Sequence, residues 1–339
     1  MRLFPYSRRT ALWLFFFLSL AGWMGCIIFR PRPWAATMLI REGFTKNAHK
    51  VNEALAKHVP EGIGMIADQQ YSSNDRDAQL DVYFPQSAAA SGEKLRVVVW
   101  THGGAWVSGN KAQLSNYCRI LAAKGFAVVS VNYSIAPEKR YPVPVRQLNA
   151  ALRYLVDNAE RFHIDTNALV LAGDSGGSHI SAQTANCIVD SSYARLMGIS
   201  PGISPSSLIG LVLYCGPYDA HHLNWEGEFG KFLKTVLWAY SGTRDFLNDP
   251  AFAPASVIGY VNKSFPPTYL SAGNKDPLAP QSQAMARKLL QHGVHVDTLF
   301  FPADYAPALP HEYQFNLDNE AGQLALSRSA AFVNALRKK

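Results

Sequence analysis

The sequence predicts an α/β fold in which a mostly parallel central sheet carries helices on both faces. The first observation is the composition: 48% of the 339 residues are hydrophobic and 17% are charged, which is typical of a chain with a large core. The second is the alternation of short apolar, β-branched runs with segments of helical periodicity, the pattern of βαβ units. The third is the absence of an internal repeat or low-complexity tract. Together they favour one large domain with an appendage.

Six apolar runs predict strands, and the segments between them predict helices. The strands are predicted at 95–100, 126–133, 168–173, 208–216, 268–273 and 296–301. The helices are predicted at 113–124, 144–162, 176–190, 279–292 and 321–337. Because a helix follows five of the six strands, the connections are long enough for neighbouring strands to lie parallel.

The net charge of +7 resides in the first 50 residues. They hold eight Lys or Arg and one acidic residue, which leaves 24 basic and 24 acidic residues in the rest of the chain. Residues 11–29 contain no charge, and at about 1.5 Å per residue they reach roughly 28 Å, close to the thickness of a bilayer core. We predict an N-terminal transmembrane helix with basic flanks. The neutral remainder offers no basic face, so we expect no nucleic-acid partner.

Processing of the same N-terminal segment is the alternative to a transmembrane helix. A long signal peptide cut within "WAAT" (34–37), or a lipid on Cys26, would replace the span. If the segment spans, we expect the N-terminus inside and the main domain on the extracytoplasmic side. The predicted domains are a cytoplasmic stub with a membrane anchor (1–32), an amphipathic helical arm or linker (33–70) and the main domain (71–339).

Cysteine usage predicts neither a disulfide framework nor a metal centre. Cys118, Cys187 and Cys215 remain outside the predicted span, an odd number without CxxC or Cys/His spacing. We expect them to be buried free thiols. The sequence also lacks HExxH, GxxxxGK and EF-hand patterns. We therefore expect no metal and no organic cofactor.

A glycine-rich turn, Gly-Asp-Ser-Gly-Gly at 173–177, joins a predicted strand to a predicted helix. This is the context that a GxSxG nucleophile elbow requires, with Ser175 at its tip. Side chains at Gly173 and Gly177 would strike the backbone in so tight a turn. The turn lifts the Ser175 hydroxyl clear of the sheet and brings the Gly176 N–H near any oxyanion that forms.

A second glycine pair follows the first predicted strand, in "WTHGGAW". Adjacent glycines let the amides of Gly103 and Gly104 turn toward a bound carbonyl, which would complete an oxyanion hole. We interpret His102 as a residue that orders this loop rather than as a base. We interpret Asp174 in the same way, as a group that orders the loops beside the oxyanion hole.

These motifs resemble the α/β-hydrolase family, and more narrowly the hormone-sensitive-lipase-like and related small carboxylesterases. The resemblance covers roughly residues 77–337. It departs from the family's pattern at Ala105, where a third glycine is common, and at Gly176, where alanine is common. The family implies an α/β-hydrolase fold with a serine, an acid and a histidine in that order along the chain. The matching stretches are HGGAW (102–106), VNYSIAPEKRYP (131–142), GDSGGSH (173–179), GNKDPLAP (273–280) and PHEYQF (310–315).

Placement along the chain selects the partners of Ser175. Among the histidines after it, only His311 lies in a loop beyond the last predicted strand, from which an imidazole reaches the carboxyl edge of the sheet. Asp276 follows the predicted strand at 268–273 and would orient His311. Asp219 and then Asp304 are the alternative acids.

The alternation of strands and helices pauses between 219 and 262. Hydrolases of this kind insert a cap over the acyl pocket at that point, although a helix that only covers the sheet fits as well. Trp106, Trp225 and Phe229 are therefore candidate substrate-binding residues. The arm at 33–70 lies on the membrane, folds over the active site, or is a spacer. The residues that recur at helical spacing are Trp225, Phe229, Phe232, Leu233, Val236, Leu237 and Tyr240.

The sequence therefore predicts a membrane-anchored serine hydrolase. Its expected substrates are small-molecule or lipid carboxylic esters with short to medium acyl chains, cleaved through an acyl-enzyme. Two alternatives stay open: an amidase or formamidase that uses the same triad, and a catalytically silent binding module.

Overall fold

The computed structural model describes residues 33–338. Within this range eight strands form one sheet, in the order β1-β2-β4-β3-β5-β6-β7-β8. β2 is antiparallel to β1 and β4, and every other neighbouring pair is parallel, so the predicted mostly parallel sheet is confirmed. The strands are β1 (Ile63–Gln70), β2 (Gln79–Pro85), β3 (Leu95–Thr101), β4 (Ala127–Val131), β5 (Ile164–Asp174), β6 (Leu208–Tyr214), β7 (Thr268–Ala272) and β8 (Val296–Phe300).

Nine α-helices lie within the described residues, and five of them correspond to the predicted helices with small shifts at their ends. A sixth, α1, occupies most of the predicted arm, and α7 lies in the predicted cap insertion. They are α1 (Pro33–Leu55), α2 (Gln86–Ser91), α3 (Ser115–Ala122), α4 (Val143–Asp157), α5 (Gly176–Val189), α6 (Ser191–Met197), α7 (Gly227–Ser241), α8 (Ala279–Gln291) and α9 (Glu320–Ala335).

The sheet is buried on both faces because alternate residues of its central strands point to opposite helix layers. In β3, Val97 and Val99 pack in the apolar cluster that includes α4, α5 and α8. Val98 and Trp100 pack in the cluster that includes α3 and α9. A strand covered on both sides reads as a continuous apolar run, which is why the sequence revealed β3 to β7.

The first two strands, β1 and β2, are absent from the sequence-based prediction. β1 lies at the edge of the sheet, where none of its residues is fully buried, and β2 is interrupted by Asp81. Asp81 is buried and accepts a hydrogen bond of 2.7 Å from Lys111 Nζ. β1 falls inside the segment 33–70, so the C-terminal part of that segment belongs to the sheet and only α1 forms a helical arm.

Helix α1 packs against the main domain rather than standing away from it. Arg41 on α1 donates to the carbonyl oxygens of Val107 at 2.7 Å and Ala136 at 2.8 Å, and its guanidinium pairs with Glu138. Phe44 contacts Phe232 of α7, with 5.8 Å between ring centroids. These contacts join α1 to the glycine loop after β3 and to α7.

The predicted transmembrane helix at 11–29 lies outside the described residues. Among the helices of residues 33–338, none combines the length and apolarity that crossing a bilayer requires. Cys118, Cys187 and Cys215 are buried free thiols, which confirms that prediction.

Candidate active site

The turn between β5 and α5 holds Ser175 in a strained backbone conformation. Its φ is 49° and its ψ is −121°, a region that residues other than glycine rarely occupy. A Cβ at Gly173 would lie 2.6 Å from the carbonyl carbon of Gly177, and one at Gly177 would overlap the Thr101 carbonyl oxygen. The Ser175 N–H donates to Tyr214 O at 2.9 Å, which fixes the turn to the end of β6.

Asp276 and His311 form a hydrogen-bonded pair at the carboxyl end of β7. His311 Nδ1 lies 3.0 Å from Asp276 Oδ1, which also accepts the Leu278 N–H at 2.8 Å. The Asp276 side chain is fully buried, and its Oδ2 has no partner among the described residues. A buried carboxylate with one hydrogen-bonded imidazole is suited to orienting that imidazole and stabilising its protonated form.

Backbone contacts hold the two residues of this pair together. A Cβ at Gly273 would lie 2.6 Å from Pro310 O, so the chain that carries His311 crosses directly over Gly273. The Leu309 N–H donates to Asn274 Oδ1 at 2.8 Å, across the same crossing. The turn after β7 therefore sets the position of both the acid and the histidine.

The environment of the imidazole raises the pKa of His311 well above 6.5. Burial by itself lowers that pKa, but Cys215 and the hydrogen-bonded Asp276 carboxylate lie against the ring and raise it. Burial also raises the pKa of Cys215 to about 11, so this residue is a neutral thiol at neutral pH. Asp276 is therefore the charge that acts on the ring in that range.

Cys215, Asp276 and His311 are also the one group of potential metal-ligating side chains found within residues 33–338. Their donor atoms lie within 4.8 Å of one another. Asp276 Oδ1 is already bonded to the imidazole and to a backbone N–H. The arrangement fits an acid that orients a histidine better than it fits a metal centre.

Ser175 and His311 reach the same edge of the sheet from different loops. Ser175 is bonded to Tyr214, and the next residue, Cys215, lies against the His311 ring. Within the described residues no hydrogen bond joins the Ser175 hydroxyl to the imidazole. His311 Nε2 lies 3.8 Å from Glu312 Oε1. Catalytic hydrogen bonds are often long or poorly aligned before substrate binds, so this geometry is compatible with a serine and its base.

The glycine loop after β3 packs onto the turn that carries Ser175. A Cβ at Gly176 would lie 3.2 Å from the Trp106 amide nitrogen, so glycine at this position allows the close approach. Gly104 has a φ of +101°. Within residues 33–338, the amides of Gly104 and Ala105 have no hydrogen-bond partner. The Gly103 backbone also acts on the neighbouring Asp174 carboxyl and lowers its pKa.

His102 is buried behind this loop. Its Nδ1 lies 2.8 Å from Gly103 O, and its ring stacks on Tyr133 at 4.2 Å between centroids. Burial lowers the pKa of His102 to about 4, so the ring is neutral at neutral pH. These contacts order the loop, as the sequence suggested, and they keep the ring away from proton transfer.

The alternative acids lie away from His311. Asp219 Oδ2 is 2.7 Å from Nδ1 of His222, an exposed histidine, and Oδ1 accepts the His221 N–H. Asp304 is exposed. Of the three acids considered, only Asp276 contacts His311.

A pocket of about 250 Å³ opens beside the imidazole. Its wall combines the glycine loop with side chains of α1, among them Phe44, a residue that sequence reasoning missed. Trp106 is buried and stacks on Tyr240 of α7, 4.9 Å between centroids, so it joins the glycine loop to the cap. Trp225 and Phe229 do not line this pocket. Trp225 instead lines a separate cavity of about 540 Å³ beside Trp238 and Arg244.

A strained serine turn and a buried acid–histidine pair at the carboxyl edge of this sheet define the α/β-hydrolase class. The sequence profile of the alpha/beta hydrolase fold family matches residues 98–309. The chain belongs to this family and, within it, to the small carboxylesterase group; it is a carboxylesterase-like hydrolase.

Two characterised relatives and two solved structures illustrate the similarity. The carboxylesterase NlhH of Mycobacterium tuberculosis is 30% identical over 231 residues, covering 65% of this chain and 68% of that protein. The arylesterase of Saccharolobus solfataricus is 28% identical over 259 residues, covering 74% and 79%. Esterase B of Lactobacillus rhamnosis superposes with a TM-score of 0.74 at 23% identity, covering 89% and 96%. The Pyrobaculum calidifontis esterase gives 0.70 at 24% identity, covering 88% and 93%. At these identities the structures show the fold alone.

Proposed function

We propose that this protein hydrolyses carboxylic esters through an acyl-enzyme on Ser175, with His311 as the general base and Asp276 as its orienting acid. The observation that carries the proposal is the buried Asp276–His311 hydrogen bond at 3.0 Å, next to the strained turn of Ser175. A hydroxyl is a weak nucleophile unless an adjacent base accepts its proton, and this pair supplies the base.

The reaction proceeds in two halves. The Ser175 hydroxyl attacks the ester carbonyl while His311 Nε2 accepts its proton, and the imidazolium then protonates the departing alcohol. Water repeats the attack on the acyl-enzyme with the same base. The negative oxygen of each tetrahedral intermediate accepts hydrogen bonds from the amides of Gly104 and Gly176. The amides of Gly103 and Ala105, from the same glycine loop, complete this set.

The pocket supports esters of modest size as substrates. A volume of about 250 Å³ beside His311, walled in part by Phe44 and Val51 of α1, suits short to medium acyl chains or a small alcohol group. The relatives are named as an arylesterase and a carboxylesterase, which supports ester rather than amide cleavage. No observation favours the amidase or the silent binding module.

A matched panel of p-nitrophenyl esters and p-nitroanilides tests the proposed reaction. We expect hydrolysis of acetyl to hexanoyl esters, with kcat/KM falling for longer acyl chains as they exceed the pocket. We expect the anilides with the same acyl groups to be turned over far more slowly. Faster cleavage of the anilides would make the protein an amidase, and no turnover of either series would favour a binding module.

We also propose that residues 11–29 anchor the protein in a membrane, with the hydrolase on the extracytoplasmic side. The uncharged run and its basic flanks support this proposal. Full-length protein should stay in the membrane pellet after high-salt and alkaline washes, and a protein beginning at Pro33 should be released with its esterase activity. Mature protein that begins near Ala36, or at a lipid-modified Cys26, would exclude a spanning helix.

A further inference from the structure

Two acidic side chains, Asp174 and Glu312, converge on Gly103 beside the glycine loop. A Cβ at Gly103 would lie 2.9 Å from Glu312 Oε1 and would overlap Asp174 Oδ2, so both carboxyls use space that only glycine leaves open. The two carboxyls are hydrogen-bonded to each other. A hydrogen bond between two carboxyls requires that one of them carry a proton, because ionised carboxylates only accept. Both side chains also line the pocket next to His311.

Asp174 is held in place independently of Glu312. The residue is buried, and Trp100 Nε1 donates to its Oδ1 at 2.8 Å. Burial, and then the negative charge of Glu312, raise the pKa of Asp174 well above 3.8, against Trp100 and the Gly103 backbone, which lower it. Asp174 is therefore a fixed point to which a second carboxyl can bond.

Glu312 reaches Asp174 through an unusual backbone conformation. Its φ is 59° and its ψ is 30°, the left-handed region that favours glycine and is unfavourable for other residues. Such a conformation persists only where surrounding contacts impose it. Glu312 directly follows His311, and its Oε1 lies 3.8 Å from His311 Nε2. Glu312 therefore lies beside His311 Nε2, on the side of the ring that faces away from Asp276. Its carboxyl is also bonded to Asp174, the residue before Ser175.

We propose that Glu312 is a positioning residue that fixes His311 for proton transfer by sharing one proton with Asp174. This inference rests on the proposed function, because it assigns Glu312 a role through His311. The shared-proton bond ties the loop of His311 to the turn of Ser175 and, through Gly103, to the glycine loop. The shared-proton bond also has an electrostatic role, because a carboxyl pair that holds one proton carries a single negative charge. A fully ionised pair would set two negative charges beside the developing oxyanion and oppose catalysis.

The shared proton makes catalysis sensitive to rising pH. Loss of the shared proton leaves two carboxylates that repel each other and releases the His311 loop. The folded-state pKa of Asp174 is raised, so the contribution of this bond is complete at low pH and disappears as the pH rises through that pKa. The other titratable or charged groups that face the pair or its histidine are Asp276, Cys215, His102, Tyr133, Cys118 and, from α1, Lys50.

Among these neighbours only Cys215 offers a competing transition at high pH, because its thiol lies against the His311 ring and burial raises its pKa to about 11. Burial raises the pKa of Tyr133 and Cys118 above their ordinary values, which keeps both neutral, and it keeps His102 neutral by lowering its pKa to about 4. Asp276 is bonded to His311 on the opposite side of the ring. The variant that isolates the pair is therefore a change at Glu312 alone.

Glu312→Ala and Glu312→Gln test the inference by their contrast. Glu312→Ala removes the bond, and we expect kcat to fall about 10²-fold with KM little changed, because misplacement of a base by about 1 Å costs that much. Glu312→Gln should recover most of kcat, since its amide donates to ionised Asp174 and the pair keeps a single negative charge. The amide cannot lose that proton, so the alkaline fall in kcat of the wild type should be absent from the Gln variant. Rates are normalised to the fraction of protein labelled by a fluorophosphonate, which counts folded active sites.

Three outcomes overturn the inference: an unchanged Ala variant, a Gln variant as impaired as Ala, or a Gln variant that keeps the alkaline fall. Glu228→Gln on α7 is the matched control, because that glutamate side chain is 90% exposed, and it should leave kcat and the pH profile unchanged. If the fluorophosphonate fails to label wild-type protein, the proposed function fails instead. Labelled, active protein with unaltered Glu312 variants refutes the positioning role alone.

Discussion

A Ser175→Ala protein is expected to lose hydrolysis of p-nitrophenyl esters, with kcat about 10⁴- to 10⁶-fold below wild type. The hydroxyl is the atom that forms the acyl-enzyme, and no other side chain occupies the tip of the turn. The fold should be retained, because alanine has the same Cβ as serine and adds no strain at a φ of 49°. Binding of a slow ester analogue should therefore persist while turnover disappears. Kinetics at saturating ester and a thermal melt of the same sample check both statements.

Ser178→Ala is the matched control for this prediction. Ser178 lies one helical turn after Ser175, and its hydroxyl donates to Gly173 O at 2.6 Å and to Tyr214 O at 2.8 Å. Its loss should lower the free energy of unfolding by about 1–2 kcal/mol and leave kcat near that of wild type. A fluorophosphonate should label wild type and Ser178→Ala but not Ser175→Ala. More than a tenth of wild-type activity in Ser175→Ala would assign the nucleophile elsewhere.

The part of the fold that the sequence reveals is the part buried on both sides. β3 to β7 read as apolar runs because helices cover both faces of the sheet, and the helices between them show their buried stripe. β1 escapes detection because it lies at the sheet edge, where none of its residues is fully buried and its last three residues are polar. β2 escapes because Asp81 interrupts its apolar pattern and is neutralised by Lys111, which is distant in sequence. A long-range ion pair leaves no periodic signal.

The candidate site also has a part that the sequence predicts and a part that it does not. Ser175, Asp276 and His311 follow from local motifs and from their order along the chain. The pocket does not, because Phe44 reaches it only after Arg41 docks α1 onto the carbonyls of Val107 and Ala136. Such docking depends on tertiary contacts between distant segments.

Two details at the glycine loop also depend on tertiary contacts. Gly103 matches the motif of an oxyanion hole, and its backbone also acts on the Asp174 carboxyl, whose pKa it lowers. Trp225 and Phe229 match the spacing of a cap helix, but that spacing results from the packing of α7 on the core. Glycine motifs predict that a loop bends, and only the packed structure tells which amides remain without a partner.

Asp276→Asn is expected to lower kcat by about 10⁴-fold. An asparagine cannot stabilise the imidazolium that forms as Ser175 attacks. Its amide group also donates to Nδ1, which favours the tautomer with the proton on Nε2, where the base must accept. Asp219→Asn is the matched control, since Asp219 is bonded to His222 and should leave kcat nearly unchanged. The reverse ranking of the two variants would move the acid to the loop after β6.

The same variant should shift the acidic limb of the pH profile. His311 must be neutral to accept a proton, so kcat/KM of the wild type falls as the pH drops through the raised pKa of its imidazole. Removing the Asp276 charge removes a cause of the raised pKa of His311. The acidic limb of the profile should therefore move to lower pH in Asp276→Asn, even though the plateau rate is far lower. If the acidic limb of Asp276→Asn stays at the wild-type position, Asp276 does not raise the pKa of His311.

The free energy of unfolding should also depend on pH, and the raised pKa of His311 determines the direction of that dependence. The folded state binds the His311 proton more tightly than the unfolded state, whose imidazole titrates near 6.5. The stabilisation from this proton is therefore complete below that pH and is lost as the pH rises through the folded-state pKa. Urea unfolding of wild type across this interval should give a free energy of unfolding that declines with pH, and Asp276→Asn should show a weaker decline. An equal slope in the two proteins would mean that Asp276 does not hold the proton on His311, and the acid of the triad would then have to be sought elsewhere.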